Sequence, residues 1–137
     1  LLYREEEREM IPFCEDQKIA ITPYSPLASG RLTRDWTGDT KRSLTDQTSK
    51  MKYDQTMDQD RVIVERVAQV AEELDVKRAQ VALAWLMQKE VVTVPIIGAT
   101  KESHLLDALP AIDVTLTPEQ VAFLEEPYLP HQVVGAR

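Results

Sequence analysis

Apolar positions recur every three or four residues from Ile63 to Leu74. Ile63, Val67, Val70, Ala71 and Leu74 fall on one face, and Glu65, Arg66, Gln69, Glu72 and Glu73 lie mostly away from it, which predicts an amphipathic helix. Asp58 or Asp60 is a suitable N-cap for it, and the pattern breaks near Asp75. A second helix is predicted over about Arg78 to Lys89. Its centre, Val81-Ala82-Leu83-Ala84-Trp85-Leu86-Met87, is apolar nearly all round and is expected to be covered on several sides. The last helix has the best start signal: Thr117 at the N-cap, Pro118 at N1 and Gln120 at N3 form a capping box, with Phe123 and Leu124 as anchors. Glu5 to Gln17 reads as a helix in which Pro12 is discordant, and Lys101 to Leu109 as a short one.

Between these lie runs of another kind. Ile19-Ala20-Ile21-Thr22, closed by Pro23, is short and β-prone. Val91-Val92-Thr93-Val94-Pro95-Ile96-Ile97, ended by Gly98, is apolar rather than alternating, as in a parallel strand covered on both faces. Leu1 to Tyr3 reads as a strand end. Tyr24 to about Asp58 has no sustained period and carries Pro26, Gly30 and Gly38, so it is expected to be a functional or mobile loop. The tail, with Pro127, Pro130 and Gly135, is expected to be irregular. Strand and helix alternate, which predicts an α/β architecture with parallel strands. An open sheet of two or three strands would leave unpaired edges and a bare apolar face. The pattern therefore favours a piece of a larger domain over an unusual fold of its own.

Composition narrows the function. The 137 residues are 43% hydrophobic and 28% charged, the balance of a globular domain. A net charge of −7 argues against nucleic acid as a partner, since phosphate binding needs a basic face. No apolar run reaches the roughly 20 residues of a membrane helix, so no membrane partner is expected. The opening Leu1-Leu2-Tyr3-Arg4-Glu5-Glu6-Glu7 lacks both a starting Met and the order of a signal peptide. One cysteine, Cys14, excludes an internal disulfide and suits a cytoplasmic location.

Two strand ends carry candidate chemistry. Tyr24-Ser25-Pro26-Leu27-Ala28-Ser29-Gly30-Arg31-Leu32 follows the first strand, and Gly98-Ala99-Thr100-Lys101-Glu102-Ser103-His104 the second. Ligands of parallel α/β proteins sit at such ends, where small residues let the backbone approach a phosphate. Lys101 and His104, three apart on one helical face, could present positive charge there. Each has a plainer reading: a small-residue turn, a solvated lysine, a surface histidine, and Tyr24 as a rim aromatic. Trp36 and Trp85 are expected to pack, Cys14 to be a small buried hydrophobe, and Glu5 to Glu7 a solvated helix start. His104 and His131 have no cysteine or acidic partners at metal-site spacing, and neither a P-loop nor a GxGxxG run is present.

Six segments in order carry a resemblance: Tyr3-Arg4-Glu5-Glu6-Glu7, Ile21 to Leu32, Ala79 to Leu86, Pro95-Ile96-Ile97-Gly98, Leu116 to Gln120, and Pro127-Tyr128-Leu129-Pro130-His131. Together the chain resembles the C-terminal portion of aldo-keto reductases of the aryl-alcohol-dehydrogenase-like group, and of the channel β-subunits that share their fold. The resemblance implies an α/β fold, the C-terminal portion of a (β/α)₈ TIM barrel, with residues 1–137 running from the end of strand six to the C-terminus. It implies an oxidoreductase that reduces aldehydes or ketones by hydride transfer from NADP(H), with a small carbonyl or alcohol as substrate. By position, Tyr24 matches the aromatic that stacks on nicotinamide. Ser25, Pro26, Leu27, Ala28 and Ser29 match the pyrophosphate loop, with Arg31 or Arg34 as basic helpers. Gly98, Thr100, Lys101, His104 and Asp107 match positions around the adenosine and its 2′-phosphate. The chain departs from the pattern at His104, where many members carry Gln or Arg, and at Ala108, where many carry Asn. The family's Asp, Tyr, Lys and His tetrad lies on earlier strands, before Leu1. The chain thus holds cofactor-binding segments without a catalytic residue, its partner is the missing N-terminal half of the barrel, and alone it is expected to be inactive. Two other readings stay open: an NADPH-sensing subunit of the channel-β type, and a non-catalytic structural fragment.

Overall fold

The computed structural model describes residues 1–37 and 45–133. Gly38 and Gly135, read above as loop and tail residues, lie outside the described residues. Six α-helices are present among those described: α1 (Met10–Asp16), α2 (Gln47–Tyr53), α3 (Met57–Glu73), α4 (Arg78–Met87), α5 (Glu102–Ala108) and α6 (Pro118–Glu125). Short 3₁₀ turns flank them at Glu5–Arg8, Ala28–Thr33, Asp54–Thr56 and Leu109–Asp113.

The core is built on α3 and α4. Ile63, Val67, Val70 and Ala71 on α3 are buried together with Val81, Ala82, Ala84 and Trp85 on α4. Helix α6 packs on α3, while α5 and the Leu109–Asp113 turn pack on α4. This explains why α4 needs apolar residues all round: Val81 to Trp85 are buried without interruption. The break at Asp75 is a Schellman turn. Asp75 takes φ 52°, its N–H donates to the Glu72 carbonyl at 3.2 Å, and the Val76 N–H donates to that of Ala71 at 2.9 Å. At α6 the capping box is present: Thr117 Oγ1 accepts from the Gln120 N–H, and the Gln120 side chain accepts from the Thr117 N–H. Leu124 is fully buried there, whereas Phe123 turns outward under the Arg66 guanidinium, 4.5 Å from its ring centre.

Several expectations are corrected at the helix starts. Helix α1 begins at Met10, so Pro12 stands in its first turn, where its missing N–H breaks no intrahelical bond. Glu5 is not solvated but buried. Cys14 is half-buried on α1 and not in the core. Helix α3 starts at Met57, ahead of both acids read as its cap. Asp60 lies in its first turn, fully buried, and accepts from Thr56 Oγ1 at 2.7 Å. The stretch read as an aperiodic loop contains α2, started by Asp46, whose carboxylate accepts from the Ser49 N–H at 2.9 Å.

The strand expectations are the largest correction. Among the described residues no strand forms. Ile19 to Tyr24 and Val91 to Ile97 meet through two isolated parallel bridges, Ile21 with Val92 and Tyr24 with Ile96. The pairing slips by one residue between the two bridges, as at a bulge. Pro23 and Pro95 have no N–H to donate to a ladder. Only Thr93 to Ile21 (2.9 Å) and Ile96 to Pro23 (2.8 Å) are joined by backbone hydrogen bonds. Val94 and Ile96 are more than half exposed, and Ile19 nearly so. A parallel strand covered on both faces needs neighbours on each side, and the described residues supply one neighbour. Barrel character is therefore not visible among the described residues.

Candidate cofactor site

The second bridge fixes the site. Because Tyr24 pairs in parallel with Ile96, Ser25 and Ile97 leave the pairing in the same direction. The Ser25–Arg31 loop and the Gly98–His104 turn therefore start at one end of the two segments. Tyr24 stands there two-thirds exposed, at the rim of a cavity of about 660 Å³ lined also by Ser25, Pro26 and Ala28.

The loop after Tyr24 is tightly wound. Ser25 (φ 53°), Ala28 (φ 49°), Ser29 (φ 57°) and Gly30 (φ 86°) all take left-handed backbone conformations. For the three non-glycine residues this costs of the order of 1 kcal/mol each, and such strain gathers at ligand clamps. Small side chains make the winding possible. Local bonds hold it: the Ala28 N–H donates to the Ser25 carbonyl at 2.9 Å, the Gly30 N–H to that of Leu27 at 2.9 Å, and the Ser29 N–H to Ser25 Oγ at 3.3 Å. Ser29 Oγ reaches Asp46 at 3.3 Å, which ties the loop to the cap of α2.

Arg31, expected to assist at the pyrophosphate, is directed inward. It is buried, donates to Ser49 Oγ at 3.3 Å and Asp54 Oδ1 at 2.5 Å, and lies 5.3 Å over both the Trp36 and the Tyr53 rings. It locks α2 against the loop. Lys52, near the end of α2, is thereby brought to Tyr24. Its ammonium donates to the Tyr24 hydroxyl and stands 4.7 Å from the Tyr24 ring centre and 5.0 Å from that of Tyr3.

On the other segment, Gly98, Thr100, Lys101 and His104 are exposed. The His104 N–H donates to the Lys101 carbonyl at 3.0 Å, closing the first turn of α5. Asp107 pairs with Lys77, and its carbonyl accepts from Gln80 Nε2 at 2.8 Å. These five residues do not line the cavity beside Tyr24. The two predicted segments thus start from one end of the paired chain. Tyr24, Ser25, Pro26 and Ala28 line the cavity there, whereas Leu27, Ser29, Arg31 and the residues of the second segment do not.

Sequence reasoning missed two features. Lys52 lies 28 residues from Tyr24 in an aperiodic stretch, and only the Asp46 cap signal hinted at the helix that carries it. The other is a buried polar cluster that involves His131. Its Nε2 lies 2.9 Å from Asp60 Oδ1, and its backbone N–H donates to Glu5 Oε1 at 2.8 Å. The Tyr128 hydroxyl donates to the same Glu5 oxygen at 2.7 Å, and Arg8 to the other at 3.1 Å. Burial alone would raise the Glu5 carboxyl, but the bonds from Tyr128, His131 and Arg8 hold it below the usual carboxylate range. Burial raises Asp60 despite Thr56 and His131. Burial, and then the charges of Tyr24 and Asp60, push Tyr53 up to about 12. Glu5, Asp60, Tyr128 and His131 stand off the cavity lining, so the cluster pins the tail rather than facing a ligand.

A sequence profile described as the Aldo/keto reductase family matches residues 1–128. Versiconal hemiacetal acetate reductase of Aspergillus parasiticus is 38% identical over 135 residues, covering 97% of this chain and 39% of that protein. A putative aryl-alcohol dehydrogenase of Schizosaccharomyces pombe is 41% identical over 138 residues, covering 98% and 38%. Another, of Saccharomyces cerevisiae, is 38% identical over 133 residues, covering 96% and 38%. The chain spans about two fifths of the length of these relatives. With nearly all of its length aligned to such reductases and dehydrogenases, the chain belongs to the aldo/keto reductase family.

Proposed function

We propose that this chain supplies the cofactor-holding end of an NADP(H)-dependent carbonyl reductase of the cytoplasm, whose barrel is completed by a preceding half. The observation that carries the reading is the Tyr24–Ile96 bridge, since it puts two small-residue segments at one end of parallel-running chain. In this reading Tyr24 supports the nicotinamide ring, and the Ser25 to Ser29 backbone cradles the pyrophosphate. Lys101 and His104 face the 2′-phosphate. The hydride comes from the cofactor, and the substrate is a small aldehyde or ketone reduced to its alcohol. Gly98 leaves room for the adenosine, since a Cβ there would meet nothing within 4 Å, and Thr100 follows it on the exposed side of the same turn. Asp107, already paired with Lys77, positions α5 rather than meeting phosphate. Arg31 supports the loop from behind. The bare apolar flank at Val94 and Ile96 fits a neighbouring strand of the completing half.

Protonating a developing alkoxide requires a positioned acid, and the reading assigns that acid to the completing half. Residues 1–137 alone are then expected to show no NADPH oxidation with a panel of aldehydes. In the whole protein, Tyr24→Ala is expected to weaken NADPH binding about two- to tenfold, the range of one aromatic stacking contact. A whole protein that fails to bind NADPH, or turnover by the purified chain alone, would overturn the reading.

A further inference from the structure

We propose that Lys52 makes the nicotinamide site selective for the redox state of the cofactor, favouring the neutral reduced ring over the cationic oxidised one. The inference rests on the reading of Tyr24 as the nicotinamide support.

Three observations carry it. The Lys52 ammonium stands 4.7 Å from the Tyr24 ring centre and donates to its hydroxyl, so the side chain of Tyr24 is already engaged by a cation. The helix carrying Lys52 is not loosely placed, because Arg31, buried between Trp36 and Tyr53, bonds to Ser49 and Asp54 on either side of Lys52. The Tyr3 ring, 5.0 Å from the ammonium, lies on the same cavity as Tyr24, so Lys52 is held between two aromatic groups at the rim.

A nicotinamide stacked on Tyr24 would come within reach of that ammonium. The oxidised ring carries a positive charge and the reduced ring does not, while every other group of the two cofactors is the same. Repulsion between that ammonium and a unit positive charge on the ring, in surroundings between bulk water and a protein surface, would weaken binding about three- to a hundredfold.

The test is the ratio of dissociation constants for NADP⁺ and NADPH, measured by fluorescence on the whole protein. Forming the ratio cancels contributions from the pyrophosphate and 2′-phosphate, which both cofactors share. Lys52→Met is expected to lower the ratio about three- to a hundredfold, Lys52→Arg to keep it, and added salt to lower it in the wild type. Melting curves show whether Lys52→Met stays folded, and Lys52→Gln is the substitute if it does not. Equal changes in both constants would overturn the inference and leave Lys52 a general anion contact, with the cofactor reading intact. Failure of the wild type to bind either cofactor would overturn the reading of Tyr24, and the inference with it.

Discussion

The Tyr128 hydroxyl donates to the Glu5 carboxylate at 2.7 Å across 123 residues of chain. With the His131 N–H on the same oxygen, this bond clasps the tail to the Glu5–Arg8 turn. Glu5 therefore acts as a buried acceptor, although the run Glu5-Glu6-Glu7 looks like solvated charge.

Glu5→Gln is expected to destabilise the fold by about 1.5–3 kcal/mol at neutral pH, toward the lower end because Arg8 is open to water. The carboxyl of Glu5 is held below its ordinary value. Its contribution is therefore present above the unfolded-state pKa of about 4.3 and is lost as pH falls through the lower folded-state value. Urea melts of wild type and Glu5→Gln should differ at pH 7 and converge on acidification. A gap that stays constant with pH would assign the effect to packing.

Adjacent residues on α6 provide a packing test. Leu124 is fully buried, whereas Phe123 is partly exposed beneath Arg66. Leu124→Ala is expected to cost about 2–5 kcal/mol and Phe123→Ala about 1 kcal/mol or less, measured by urea denaturation. The reverse order would contradict the outward placement of Phe123.

Most of the helical frame was legible because it rests on local signals: the stripe from Ile63 to Ala71, the wholly apolar centre of α4, and the Thr117–Gln120 box. The strands were not, because an apolar run such as Val91 to Ile97 states only that it can be covered, and the partners that would cover it are absent from the described residues. The two candidate loops start at one end because the Tyr24–Ile96 pairing is parallel. Lys52, Arg31 and His131 could not be read for a common reason. Their roles depend on partners 18 to 126 residues away, and neither spacing nor residue type reveals such pairs. Arg31 illustrates the consequence: a lone arginine beside a small-residue loop suggests phosphate, yet Ser49 and Asp54 take its donors.

Two glycines at the candidate site should respond differently to alanine. Gly30 has φ +86°, so Gly30→Ala strains the backbone even though the nearest atom to a new Cβ is 3.8 Å away. A loss of about 1 kcal/mol in melts is expected. At Gly98 a Cβ meets nothing within 4 Å, and Gly98→Ala should leave stability within about 0.5 kcal/mol of wild type. Any larger fall in NADPH affinity for Gly98→Ala than in stability would then report steric exclusion of the cofactor itself.

The last prediction separates Lys101 from an ordinary surface lysine. Lys101 is exposed at the N-cap position of α5, so its side chain borders solvent on the segment read as facing the adenosine. NADPH carries a phosphate of charge about −2 at the adenosine ribose where NADH has a hydroxyl. A charge-assisted contact there is worth about ten- to a hundredfold in affinity when shielded, and exposure to salt brings the expectation down to about tenfold or less. Lys101→Ala in the whole protein should therefore weaken NADPH several-fold and NADH hardly at all. The NADPH loss should shrink as ionic strength rises. Lys101→Arg should retain most of the preference, since a guanidinium also pairs with phosphate. Equal losses for the two cofactors, or none for either, would remove Lys101 from the site and leave the 2′-phosphate to be met by other residues.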